Sequence, residues 1–158
     1  MNKNMNIKNI IINKPLKLDC GQTINSFPLA YETYGKLNEK KDNAILVFHA
    51  LTGDQFVSGK NPITNKDGWW SYAVGAGKAI DTDKYFVICA NVIGGCMGSF
   101  GPSNINPETN KIYATNFPVI TINDMVNAQF NLLNFFKIEK LFAVMGGSMG
   151  GMQVLQFV

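Results

Sequence analysis

A serine placed to carry an acyl group stands at position 148, inside Gly146-Gly147-Ser148-Met149-Gly150. The apolar run Leu141-Phe142-Ala143-Val144 precedes it and Gly151-Met152-Gln153-Val154-Leu155 follows, so the segment reads as strand, sharp turn, helix. In that setting G-x-S-x-G describes a nucleophile elbow. The turn forces the serine into a strained backbone and holds its hydroxyl at the carboxyl edge of a sheet, against the positive end of the next helix. Residues two before and two after it must be small, because a Cβ there would collide with the neighbouring strand or helix. Gly146 and Gly150 meet that requirement. The bland alternative is a glycine-rich connector with an incidental serine, and the flanking strand and helix argue against it.

A serine hydroxyl is a poor nucleophile until a base removes its proton, and that base is normally a histidine oriented by a carboxylate. The sequence holds one histidine, His49, in His49-Ala50-Leu51-Thr52-Gly53 at the end of an apolar run. That is where a hydrolase-type sheet places the loop giving one oxyanion-hole amide, so His49 reads as loop-shaping and not as the base. The expected pair of donors is the backbone N–H of Met149, directly after the nucleophile, and that of Leu51. Each such donor is worth about 3 kcal/mol of transition-state stabilisation.

The elements that must hold these groups alternate along the chain. Residues 16–19 and 29–34 alternate apolar with polar and read as an antiparallel pair. Residues 44–48 (Ala-Ile-Leu-Val-Phe) and 85–90 are continuous apolar runs of the kind buried on both faces. A short helix is expected over residues 69–79, and a long glycine-rich loop follows residue 90, too long to be a mere connector. Thr121-Ile122-Asn123-Asp124 fits a capping box opening an amphipathic helix that ends near Lys137. The order predicts an antiparallel pair leading into βαβαβ, hence a mostly parallel sheet with helices on both faces.

Composition narrows the function classes. Of 158 residues, 46% are hydrophobic and 16% charged, ordinary for one globular domain with a core. A net charge of +3 with dispersed basic residues gives no footprint for nucleic acid. No apolar run reaches the ~20 residues that span a bilayer. Cys20, Cys89 and Cys96 are odd in number and lack C-x-x-C spacing, which points to free thiols in a reducing cytosol, with Cys89 in the core. A single histidine and no ligand cluster give no metal site.

Four blocks together resemble the homoserine O-acetyltransferase family. They are His49-Ala50-Leu51-Thr52-Gly53-Asp54; Asn91-Val92-Ile93-Gly94-Gly95-Cys96 with Gly98-Ser99 and Gly101-Pro102; Asp124-Met125-Val126 with Gln129; and Gly146 through Gln153. The match runs in register from about residue 16 to residue 158. It implies the N-terminal half of an α/β-hydrolase fold: an antiparallel strand pair leading into a mostly parallel sheet with flanking helices, ending just after the elbow. Residues 1–15 are expected to be a loosely ordered tail and residues 16–158 the N-terminal half of the catalytic domain.

The resemblance further implies an enzyme of methionine biosynthesis working by a ping-pong reaction. Acetyl-CoA, a substrate and not a bound cofactor, acylates Ser148, and the hydroxyl of L-homoserine collects the acetyl group. Leu51 and Met149 take the oxyanion role, and Gly94, Gly95 and Phe100 shape the pocket. Trp69-Trp70 occur in the family too, but paired tryptophans are more often packing than ligand contact, so they read as core. Two residues depart from the family pattern: Asn123 stands where arginine is frequent, and Phe100 stands where threonine is usual and is expected to narrow the pocket. Family members are much longer, so the triad aspartate and histidine, the remaining strands and the lid are expected outside this chain. The chain alone is expected to be inactive and sticky; the full-length enzyme is expected to be a cytoplasmic homodimer acting on small molecules, without nucleic acid or membrane partners. Alternatives are a homoserine O-succinyltransferase or serine O-acyltransferase on the same scaffold, a serine hydrolase such as an esterase, and a non-catalytic remnant.

Overall fold

The computed structural model describes residues 7–158. Two all-buried strands, β5 (Ala44–Phe48) and β8 (Phe86–Ala90), lie side by side in parallel at the heart of a five-stranded sheet. Their unbroken apolar sequences fit that position, since both faces of a central strand are covered. The remaining elements, in chain order around them, are β1 (Asn9–Ile12), β2 (Leu16–Lys17), β3 (Thr23–Ile24), β4 (Phe27–Tyr34), β6 (Val74–Gly75), β7 (Ile80–Asp81), β9 (Ile105–Asn106), β10 (Lys111–Ile112), a single 3-10 turn (Ala114–Asn116), α1 (Ile122–Phe136), β11 (Ala143–Gly146) and α2 (Met149–Phe157). The sheet order is β1-β4-β8-β5-β11, with β11 parallel to β5 and the β1-β4-β8 side antiparallel.

Helices α1 and α2 pack on one face of the sheet. Ala44, Leu46 and Phe48 of β5 point that way, into a cluster with Val126, Ala128, Leu132 and Leu133 of α1. Ile45 and Val47 point the other way, where Val57, Val74 and Ile80 cover them and Trp69 and Trp70 pack alongside. The two tryptophan rings lie 5.1 Å apart, and Trp69 Nε1–H donates to the Asp54 carbonyl at 2.9 Å, in keeping with their reading as packing. Cys89 is fully buried in this second cluster, and burial pushes its thiol pKa up.

Four expectations are corrected. The stretch read as a loose tail contains a strand: Asn9–Ile12 pairs with β4, from Asn9 opposite Ala30 to Ile12 opposite Phe27. Its three isoleucines suit a half-buried strand, and Ile12 is buried against the core, so burial outweighs the terminal position. The first six residues lie outside the described ones. Residues 16–17 pair not with β4 but with β3, Leu16 opposite Ile24, through a turn in which Gly21 takes φ 89°. The helix expected over residues 69–79 is replaced by turns and the short β6–β7 pairing, because Gly75 (φ 154°) and Gly77 (φ 69°) adopt conformations that break a helix. Among the described residues, both helices therefore sit on one face of the sheet, and irregular chain between β5 and β8 covers the other.

Helix α1 starts and stops as its sequence dictates. Thr121 Oγ1 accepts from Asp124 N–H, while Asp124 Oδ2 accepts from Thr121 N–H, completing the capping box. The second oxygen of the fully buried Asp124 carboxylate accepts from Asp19 N–H at 2.9 Å, tying the β2–β3 hairpin to the helix start. At the far end Lys137 turns left-handed (φ 56°), and the N–H groups of Lys137 and Ile138 donate to Asn134 and Leu133 carbonyls, a Schellman ending. Along its length Gln129 donates to Gln153 of α2 at 3.1 Å, both side chains fully buried.

Candidate active site

Strand β11 enters the turn at Gly146, and α2 leaves it at Met149. Between them Ser148 holds φ 57° and ψ −127°, a backbone conformation that a non-glycine residue adopts only under strain of about 1–3 kcal/mol. The glycines at the two key positions are sterically required. A Cβ on Gly150 would lie 2.1 Å from the Phe48 carbonyl oxygen, and one on Gly146 would lie 2.5 Å from the Gly150 oxygen. The turn is thus pressed directly onto the end of β5. Ser148 is exposed, and its hydroxyl makes no capping bond to the helix it precedes. It stands at the amino end of α2, where the helix dipole favours developing negative charge.

Met149 lines a cavity of about 420 Å³ beside the elbow, together with His49, Leu51, Gly94, Gly95 and Cys96. The structure therefore brings together both predicted oxyanion donors and two of the three residues assigned to shape the pocket. Among the described residues, no backbone carbonyl accepts from the N–H of Leu51 or of Met149. Both amides remain available to an incoming oxygen, as an oxyanion hole requires.

Phe100 lies elsewhere. It is buried behind the pocket wall, 4.9 Å from the Phe117 ring and 5.5 Å from the Tyr113 ring, centroid to centroid. Phe117 lines the cavity and Phe100 does not, so the expectation that Phe100 narrows the pocket is corrected. The reason is the preceding turn: Phe100 N–H donates to the Pro28 carbonyl and Gly94 N–H donates to the Phe100 carbonyl, which folds the side chain back into the core.

His49 is 1% exposed, and both ring nitrogens are engaged. Nδ1 lies 2.7 Å from the Ala50 carbonyl, and Nε2 accepts from Val92 N–H at 3.2 Å, with Asn91 Nδ2 at 3.3 Å. A carbonyl partner on one side and an N–H partner on the other require the neutral ring with its proton on Nδ1. Burial pushes the His49 pKa below its ordinary 6.5, against smaller upward pulls from the Ala50 carbonyl and the Asp54 charge. A buried, doubly bonded imidazole has no free nitrogen for serine, which agrees with a shaping role.

Asn91 extends the same framework, a role that no local pattern in the chain singles out. Its Oδ1 accepts from Met97 N–H at 3.2 Å, and its carbonyl accepts from Ser99 Oγ at 2.5 Å. Ser99 Oγ in turn accepts from Ala30 N–H at 2.9 Å, so the glycine-rich loop is anchored to β4. Gly95 fits against this side chain, since a Cβ there would lie 2.9 Å from Asn91 Oδ1. Asn123, the other departure from the family pattern, sits away from the cavity and donates to Asp19 Oδ1 at 2.9 Å.

Among the described residues, no group of three histidine, cysteine or acidic side chains gathers to hold a metal, and no helix is long and apolar enough to cross a membrane. Cys20, Cys89 and Cys96 are free thiols.

Comparison with known proteins adds to this geometry. The family model for the alpha/beta hydrolase fold matches residues 43–158. The chain is 87% identical over its whole length to a homoserine O-acetyltransferase of Pelagibacter ubique and spans 42% of that protein. It is 60% identical over 144 residues to the homoserine O-acetyltransferase of Mesorhizobium japonicum, spanning 37% of it. Among solved structures, the homoserine O-acetyltransferase from Bacillus anthracis superposes with TM-score 0.88 at 37% identity, covering 95% of this chain and 42% of that one. The esterase E22 superposes with TM-score 0.83, also at 37% identity, over 93% of this chain and 42% of that one. The chain thus spans about two fifths of the length of the relatives it matches.

Proposed function

The chain belongs to the alpha/beta hydrolase fold family, and from that membership we propose that it forms the nucleophile-bearing part of a homoserine O-acetyltransferase. The observation that carries the reading is the strained Ser148 followed directly by the unengaged amide of Met149, which lines one cavity with Leu51, in a chain 87% identical to an acetyltransferase of that name. In the proposed reaction Ser148 Oγ attacks the thioester carbonyl of acetyl-CoA while a general base takes its proton. The N–H groups of Leu51 and Met149 receive the negative oxygen of the tetrahedral intermediate. That intermediate collapses by breaking the carbon–sulfur bond, and the proton passes to the departing CoA thiolate. The side-chain hydroxyl of L-homoserine then gives its proton to the same base and attacks the acyl-serine, and Ser148 leaves with that proton restored.

His49 is unsuited to be the base, because both its nitrogens are occupied in a buried setting. The base and its orienting carboxylate are therefore assigned to the portion of the protein outside these residues, consistent with relatives more than twice as long. The substrates on this reading are small molecules, and acetyl-CoA is consumed and not held as a resident cofactor.

The test uses the intact protein that carries this segment. Incubation with acetyl-CoA alone is expected to place one acetyl group on Ser148, seen by peptide mass spectrometry, and L-homoserine is expected to discharge it. Ser148→Ala is expected to lower kcat by about 10³-fold or more. Full turnover by that variant would overturn the reading. The similarity to esterase E22 supplies the competing one: a hydrolase would discharge the acetyl group to water at a rate indifferent to homoserine.

A further inference from the structure

We propose that His49 is a positioning residue for acyl transfer, holding the Ala50–Leu51 peptide so that Leu51 N–H faces the oxyanion. The inference rests on the acyl-serine reading above and extends it to a side chain that touches no substrate. The Ala50 carbonyl and the Leu51 N–H belong to one planar trans peptide, so fixing the oxygen fixes the opposite direction of the N–H. That oxygen receives two donors, His49 Nδ1 at 2.7 Å and Gly53 N–H at 2.8 Å, which fills both of its lone pairs.

The Leu51 side chain cannot do this work, because it is 76% exposed and anchors nothing. The turn is also closely fitted to the histidine, since a Cβ on Gly53 would lie 3.0 Å from His49 Cβ. On its other side the ring takes Val92 N–H, so a single imidazole spans the two chain segments that wall the cavity, residues 49–53 and 91–96. The Val92 contact has a second effect: it keeps Nε2 unprotonated and so commits the ring proton to the Ala50 carbonyl.

The experiment compares His49→Ala, His49→Asn, His49→Gln and Ser148→Ala in the intact protein, with the folded fraction of each measured by thermal denaturation. Asparagine offers an amide N–H near the position of Nδ1 and so can still hold the Ala50 carbonyl. Glutamine places its amide near Nε2 and leaves that carbonyl with Gly53 alone. A misdirected oxyanion donor removes transition-state binding only. His49→Ala is therefore expected to lower kcat about 100-fold with the KM for acetyl-CoA nearly unchanged. His49→Asn is expected to regain about tenfold of that loss, and His49→Gln to regain none.

The proposal is overturned if folded His49→Ala keeps kcat within about threefold of the unsubstituted protein. It is equally overturned if the asparagine and glutamine variants lose activity alike, or if all three fail to fold, since those results mark a packing role. Should only His49→Ala fail to fold, the asparagine–glutamine comparison decides by the same criteria. Ser148→Ala separates the two levels. If it retains turnover the acyl-serine reading itself falls; if it is inert while the His49 variants keep kcat, only the positioning role falls.

Discussion

Ser148 and His49 illustrate two ways in which a polar residue departs from ordinary stability rules. Ser148 holds a left-handed backbone that glycine would adopt without strain, in exchange for an exposed hydroxyl at a helix amino terminus. His49 is nearly inaccessible yet satisfied at both nitrogens, so its neutral form is built into the fold. That arrangement has a pH consequence. Because the folded pKa lies below the ordinary 6.5, the unfolded chain binds a proton at His49 before the folded one does. Stability therefore falls as pH drops below about 6.5 towards the folded value, by at most about 1.4 kcal/mol per pH unit, and is unaffected above that window. Urea unfolding of the intact protein near pH 7 and near pH 5.5 is expected to show this loss. In His49→Asn the pH-dependent part due to residue 49 is expected to vanish while that of other groups persists. Identical pH dependence in the two proteins would show that residue 49 does not titrate between the states.

Elements meet at the elbow with backbone-to-backbone closeness, and the glycines there divide sharply in what they tolerate. Gly150 presses on the β5 carbonyl of Phe48, so Gly150→Ala forces α2 away from the sheet. A destabilisation of about 1–3 kcal/mol is expected from such overpacking. Gly147, three residues earlier, faces open space where a Cβ would stand, with no neighbour within 4 Å, and Gly147→Ala is expected to stay within about 0.5 kcal/mol of the parent. Urea midpoints of the two variants check the contrast, and equal midpoints would show that the elbow is not wedged against β5. Further along the same helix, the buried Gln129–Gln153 amide pair joins α2 to α1, the helix whose capping box holds Asp19.

At the scale of the whole sheet, the described residues leave an open boundary beyond β11. Among the described residues that strand pairs on one side only, with β5, and Phe142 is 58% exposed nearby. A cavity of about 690 Å³ opens beside it, lined by Phe130, Leu133, Ile138, Leu141, Val144 and Phe157. An apolar groove next to an open strand edge favours association with whatever chain can cover it. The 158-residue polypeptide produced alone is accordingly expected to self-associate in sedimentation velocity runs, and to release no CoA in response to homoserine. A monodisperse, catalytically competent monomer would contradict both the boundary and the assignment of the base to the rest of the protein.

Local chemistry settled part of this at the level of the chain itself. The elbow is legible because its requirements are nearest-neighbour ones: glycines two residues either side of a serine, between an apolar run and a helix. The capping box at Thr121 and the buried strand of residues 44–48 are legible for the same reason, as each depends on a short stretch of side chains. Pairing partners were not legible. Residues 9–12 pair with β4 and residues 16–17 pair with β3 in a separate two-stranded sheet, and a partner in another segment is something no local pattern records. The destination of Phe100 and the bond from His49 to the Ala50 carbonyl belong to that second kind. Phe100 is turned inward by the Pro28 carbonyl, and the His49 ring is committed to its neighbour's carbonyl by Val92 N–H, and both of these groups lie dozens of residues away in the chain.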